Sequence, residues 1–226
     1  DVYKRQHLQD LEEKVDYAVI TDGLGENWEI SNVAIKPYPV CHFIHGCADA
    51  AIELYNRQSF APEDIVGIRA FVAEDTLPIV TEPIANKKEP ANEYDAKFST
   101  QFVVAGCLAR GKFGLAELKD DALQDEEILR LSRMVDCVAD PDSEFPTYFS
   151  GGVAVTTRSG EELTSHVRMN SGAGERALDG AAIAEKFMAN ATLAVSEDRA
   201  TAVRDAILGL DDRPIRDLTA LLHGKD

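Results

Sequence analysis

The stretch KPYPVCHFIHGCADAAIELY, residues 36–55, joins a stiff connector to an amphipathic helix. Pro37 and Pro39 remove two backbone donors and bias Ile35, Lys36 and Tyr38 toward extended conformation. From Ile44 to Tyr55 the apolar residues Ile44, Cys47, Ala48, Ala51, Ile52 and Tyr55 follow the i, i+3, i+4 rule, so one face of the predicted helix needs a core to pack on. A partner for that face follows at once. IVGIRAFVAE, residues 65–74, alternates Val66, Ile68, Ala70 and Val72 and predicts a largely buried strand.

Upstream, residues 8–20 (LQDLEEKVDYAVI) space Leu8, Leu11, Val15, Val19 and Ile20 as a helix would, and Gly23 and Gly25 supply stop signals. Downstream, residues 95–110 predict a second helix with the stripe Phe98, Phe102, Val103, Ala105 and Leu108, closed by Gly111. The acid-rich segment 117–144 keeps Ile128, Leu129, Leu131, Val135 and Val138 on one face and reads as a solvated amphipathic helix. In VAVTTRSGEELTSHV, residues 153–167, Ser159-Gly160 separates two alternating runs and signals a β-hairpin. Residues 181–194 and 199–208 then read as helices. This order of elements predicts an α+β fold.

Composition narrows the function classes. The 226 residues carry a formal net charge of -17, which argues against nucleic acid or an anionic membrane as a partner. The four cysteines, Cys41, Cys47, Cys107 and Cys137, form no CxxC pair, so reduced thiols and a cytoplasmic location are expected. No apolar run approaches the roughly 20 residues that span a bilayer, and DVYKRQHLQD is too polar for a signal peptide. A chain that opens on Asp1 without a helix start signal is expected to be a fragment of a longer protein.

The densest group of ionisable side chains is Lys36, Cys41, His42 and His45. A cation and two imidazoles so close together suit carboxylate binding or proton movement. The plainer alternative is that His45 packs within its helix and Lys36 is a solvated loop lysine. His42, His45 and Asp49 are spaced for neighbouring helical turns, yet no wider ligand pattern accompanies them, and no metal is expected. Cys41 could be a nucleophile with His45 four residues on, but burial is the better reading of a lone cysteine. Gly151-Gly152 and Gly172-Ala173-Gly174 read as turns. His166 and His223 show no chemical partner in the sequence.

Three blocks in order resemble the MmgE/PrpD family of 2-methylcitrate dehydratases and their relatives. They are LGENWEISNVAIKPYPVCHFIHGCADAAIEL from Leu24, YDAKFSTQFVVAGCLARGKFGLAEL from Tyr94, and LDGAAIAEKFMANA from Leu178. The resemblance implies a C-terminal half: residues 1–32 ending a helical domain, 33–172 forming an α+β lid with a mixed sheet, and 173–226 returning to the helical domain. It implies a cleft with Lys36 and His45 as catalytic groups and Cys41, His42 and Phe102 against the substrate.

By the same resemblance the activity is that of a cofactor-independent lyase on a small di- or tricarboxylate, homodimeric when intact. Position 41 is histidine in the cis-aconitate decarboxylase branch and cysteine here, which favours a dehydratase. Phe102 stands where several members have a tyrosine, whose hydroxyl it cannot replace. Without the half that supplies the other cleft wall, the fragment alone is expected to be inactive. An epimerase or isomerase on a related dicarboxylate and a non-catalytic, lid-like interaction module are the alternatives.

Overall fold

A computed structural model describes residues 17–28, 30 and 33–223. The chain divides into two units, residues 1–33 and 34–226. In the first, Tyr17–Ile20 form a 3-10 turn, and Gly23 and Gly25 take positive φ in the turns that follow. Most of the helix expected over 8–20 lies outside the described residues.

The second unit begins with the proline connector and contains ten helices among the described residues: α1 (His45–Asn56), α2 (Leu77–Val80), α3 (Ile84–Lys88), α4 (Glu93–Ala96), α5 (Thr100–Arg110), α6 (Asp120–Leu123), α7 (Glu126–Met134), α8 (Gly180–Ala191), α9 (Glu197–Leu208) and α10 (Ile215–His223). Four strands, β1 (Ile65–Val72), β2 (Val135–Ala139), β3 (Gly151–Thr157) and β4 (Glu162–Val167), form one sheet in the order β2-β1-β3-β4. β2 runs parallel to β1, while the β1–β3 and β3–β4 pairs are antiparallel, so the sheet is mixed and the fold is α+β as expected.

The core lies where α1 and α5 meet the sheet. From α1, Cys47, Ala48, Ala51 and Leu54 are buried, and from β1, Ile68, Ala70 and Val72. Val66, at the exposed end of the strand's alternation, remains 50% accessible. The first turn of α1 runs directly over the β3 backbone. A Cβ on Gly46 would stand 2.6 Å from the Gly151 nitrogen, and one on Gly151 would stand 2.8 Å from the Cys47 nitrogen. Only two glycines permit so close a crossing. Gly151 and Gly152 are strand residues, Gly151 at the helix–strand contact, and their assignment to a turn is corrected. Gly172, at φ 89°, does occupy a turn.

Two helices depart from their expected spans. The run 95–110 is broken because Ser99 caps a new helix, its hydroxyl accepting the Phe102 N–H at 2.9 Å. Gly111 closes α5 in the left-handed conformation as expected, its N–H donating to the Cys107 carbonyl. The segment 117–144 is not one helix. Asp125 caps α7 by accepting the N–H groups of Glu127 and Ile128, and α7 stops at Met134. Val135–Ala139 then pair in parallel with Ile68–Val72, because two β-branched residues in this short run fit a pleated edge better than another helical turn.

The hairpin forms where expected, with Gly160 at φ 87° in its turn. Helices α8 and α9 match their expected positions within a few residues, while α10 has no counterpart in the sequence reading. Among the described residues no helix is long and apolar enough to cross a membrane.

Candidate functional site

The connector is tied at both ends by main-chain hydrogen bonds. Ile35 N–H donates to the Gly172 carbonyl at 3.0 Å, and Cys41 N–H to the Lys97 carbonyl at 2.8 Å. Between these ties Lys36 is exposed and folds back so that Nζ donates to the Val40 carbonyl at 3.2 Å. Tyr38, held between the two prolines, points its hydroxyl at Asp49 on α1 and donates to Oδ1 at 2.5 Å. The other carboxylate oxygen, Oδ2, accepts the Ser171 N–H at 2.6 Å and lies 3.5 Å from the Arg176 guanidinium. Burial raises the Asp49 pKa, opposed by these donors, and burial with the neighbouring carboxylate drives the Tyr38 phenol upward.

The two histidines stand side by side with their ring centroids 4.8 Å apart. His45 opens α1 and is fully buried, edge-on to the Tyr38 ring at 5.2 Å. Its Nε2 faces the Val40 carbonyl at 3.4 Å, so the proton belongs on Nε2, and Nδ1 is buried with no partner among the described residues. Burial, reinforced by His42, Lys36 and Lys186, brings its pKa down to about 3, so the ring is neutral at ordinary pH. His42 is half-buried, stacked on Phe149 at 4.1 Å, with Nε2 3.0 Å from the Asn170 amide nitrogen. Burial and then the Lys36 ammonium hold its pKa below the usual imidazole range. Cys41 is half-buried, and none of the four cysteines forms a disulfide.

Beside the connector lies a groove of about 680 Å³, lined in part by Lys36, Tyr38, Ile52, Leu115, Glu185 and Lys186. Lys186, on α8, donates from Nζ to the Lys36 carbonyl at 2.6 Å. Two lysines and one carboxylate, Glu185, thus line one groove and give it a net positive charge, which suits carboxylates. Of the residues singled out from the sequence, the fold gathers Lys36, Cys41, His42 and His45 around the connector and the start of α1. Of these only Lys36 lines the groove; Cys41, His42 and His45 do not, and neither does Phe102. It has no exposed surface and packs edge-on to Phe113 within the core.

Sequence reasoning missed the side chains that hold the connector, Asp49 and His42 in place: Tyr38 as a donor, Asn170, Arg176 and Lys186. Lys186 stood within the block LDGAAIAEKFMANA, which was the available signal for it. Asn170 and Arg176 lie more than 100 residues from His42 in sequence, and no local spacing links them. His166 does have a partner: its Nε2 lies 2.9 Å from Oδ2 of the buried Asp140, joining β4 to the chain after β2. Among the described residues no cluster of three or more His, Cys, Asp or Glu is arranged to hold a metal ion.

A cis-aconitate decarboxylase-like protein of Aspergillus oryzae is 22% identical to this chain over 211 residues, covering 91% of the chain and 44% of that protein. Human cis-aconitate decarboxylase is 24% identical over 196 residues, covering 85% of the chain and 40% of that protein. The chain thus spans less than half the length of these curated relatives. The sequence profile of the MmgE/PrpD C-terminal domain matches residues 38–212, which include the connector from Tyr38 onward, both histidines, the whole sheet and helices α8 and α9, and the chain belongs to the MmgE/PrpD family.

Proposed function

We propose that this chain supplies one wall of the active site of a cofactor-independent lyase acting on a small di- or tricarboxylate. The observation that carries the reading is the groove shared by Lys36 and Lys186, large enough for such a substrate and lined by two cations against one carboxylate, Glu185. In the proposed reaction a base removes a proton from the carbon beside a carboxylate, the C–H electrons form a C=C bond, and the C–O bond breaks as an acid group protonates the leaving hydroxyl, which departs as water. Lys36 and Lys186 hold the carboxylates and offset the charge that develops on them. His45, enclosed and neutral, shapes the wall behind the connector, and the base comes from the remainder of the longer protein. On this reading the chain alone is inactive, and the intact protein is a cytoplasmic homodimer.

Decarboxylation is the second reading, favoured by the names of the two curated relatives. Cys41 weighs against it, since the resemblance places histidine at this position in that branch. The test is to incubate the full-length protein separately with 2-methylcitrate and cis-aconitate and to follow both by proton NMR. An alkene formed from 2-methylcitrate with every carbon retained supports the hydro-lyase, whereas loss of carbon dioxide from cis-aconitate supports decarboxylation. Turnover of neither, by a protein shown to be folded, removes both readings.

A further inference from the structure

The hydrogen bonds around Asn170 settle where the proton sits on a neighbouring ring. Asn170 follows β4 and is 1% exposed. Its amide nitrogen, Nδ2, lies 2.8 Å from the Ser171 carbonyl oxygen and 3.0 Å from Nε2 of His42. A carbonyl oxygen only accepts, so the amide must present its NH₂ end to Ser171; the flipped amide would set two acceptor oxygens against each other. The second hydrogen of the same NH₂ group points at the imidazole. Nε2 of His42 therefore has to accept, and a neutral ring that accepts at Nε2 carries its proton on Nδ1. A doubly protonated ring would turn an N–H against an N–H.

The amide is anchored in its turn. The Ser171 N–H is held by Asp49 Oδ2 at 2.6 Å, and Asp49 is held by Tyr38. On its other side His42 is stacked flat on Phe149, with the planes 13° apart, which fixes the ring's orientation. Nδ1 of His42 has no hydrogen-bond partner among the described residues, and the ring is only half-buried.

We propose that Asn170 is a positioning residue that holds His42 as the neutral tautomer protonated at Nδ1, so that the open side of the ring offers a hydrogen-bond donor to an acceptor such as a carboxylate oxygen. The tautomer follows from the hydrogen bonds alone. The carboxylate as its recipient rests on the proposed function. Under this assignment His42 does not abstract the substrate proton, because its only basic nitrogen is occupied by Asn170.

The test uses the full-length protein labelled with ¹⁵N-histidine, with the His42 resonances identified by comparison with His42→Gln. Long-range ¹H–¹⁵N correlation spectra distinguish a protonated Nδ1 from a protonated Nε2. The wild type is expected to show Nδ1 protonated and Nε2 bare. In Asn170→Asp the new carboxylate accepts, and the proton is expected at Nε2; in Asn170→Ala the two tautomers mix. A wild-type ring protonated at Nε2 overturns the proposal without reference to any variant, and so does a tautomer unchanged in both variants. Kinetics on the same samples separate this proposal from the functional reading it builds on. Loss of a donor to a charged substrate is expected to raise KM about tenfold or more in Asn170→Asp. A switched tautomer with unchanged KM leaves the assignment standing and removes His42 from the substrate contact.

Discussion

The Tyr38 hydroxyl donates to Asp49 Oδ1 at 2.5 Å, and through this bond the proline connector is fastened to the middle of helix α1. Asp49 is 3% exposed at its side chain, so its oxygens depend on protein donors. Tyr38→Phe removes one of them and leaves a buried carboxylate oxygen unsatisfied. The expected cost is about 1–3 kcal/mol, measured as a lower urea midpoint with an unchanged denaturant slope. A midpoint equal to wild type would show that the bond contributes nothing net.

The crossing of α1 over β3 admits no side chain. Gly46→Ala places a methyl group 2.6 Å from backbone atoms that belong to a four-stranded sheet and cannot yield without moving it. A loss of about 3 kcal/mol or more is expected, with reduced soluble yield. Gly180→Ala is the control: it opens α8 with no atom within 4 Å of the added Cβ, and its stability should stay within about 0.5 kcal/mol of wild type.

His45 makes stability depend on pH. In the unfolded chain its imidazole takes up a proton near pH 6.5, whereas in the fold it stays neutral down to about 3. Between those values the unfolded state binds more protons, so its contribution is fully present above pH 6.5 and is lost as pH falls. The slope from this one group is at most about 1.4 kcal/mol per pH unit. Asp49, with its pKa raised, acts in the opposite sense as pH rises past the ordinary carboxylate value. The comparison to make is therefore wild type against His45→Gln, by urea unfolding at several pH values. The variant should lose less stability between pH 6.5 and 4; parallel curves would show that His45 is not held neutral.

Lys36 and Lys186 should matter through charge. In the full-length protein, Lys36→Met keeps the side chain's length while removing the ammonium, and KM for the carboxylate substrate is expected to rise about tenfold. Lys186→Met should act similarly, with an added structural effect because its Nζ also holds the Lys36 carbonyl. Circular dichroism and the urea midpoint separate the two contributions. Unchanged KM in both variants would remove the groove from substrate binding.

Much of the architecture was legible in local patterns. Helix α1, strand β1 and the hairpin each carried a periodicity, and Gly111 closed α5 where expected. The edge strand β2 was not legible, since Val135 and Val138 continue the apolar face of the preceding helix, and only pairing with Ile68–Val72 decides against another turn. Gly151 and Gly152 misled for a related reason: what requires glycine at 151 is the α1 backbone, about 100 residues away in sequence, and what crowds a Cβ at 152 is His166 and Ser165 on β4. The candidate site divides along the same line. Lys36, Cys41, His42 and His45 are sequence neighbours and were read together, whereas Asn170, Arg176 and Lys186 reach the connector only through the fold.

The connector is gripped through main-chain atoms, at Ile35 by Gly172 and at Cys41 by Lys97. Neither grip depends on what side chain positions 36 or 41 carry. The segment therefore works as a fixed rail on which chemistry can be exchanged, and Cys41→His is open to an engineer as a change of reactivity that leaves both backbone ties in place.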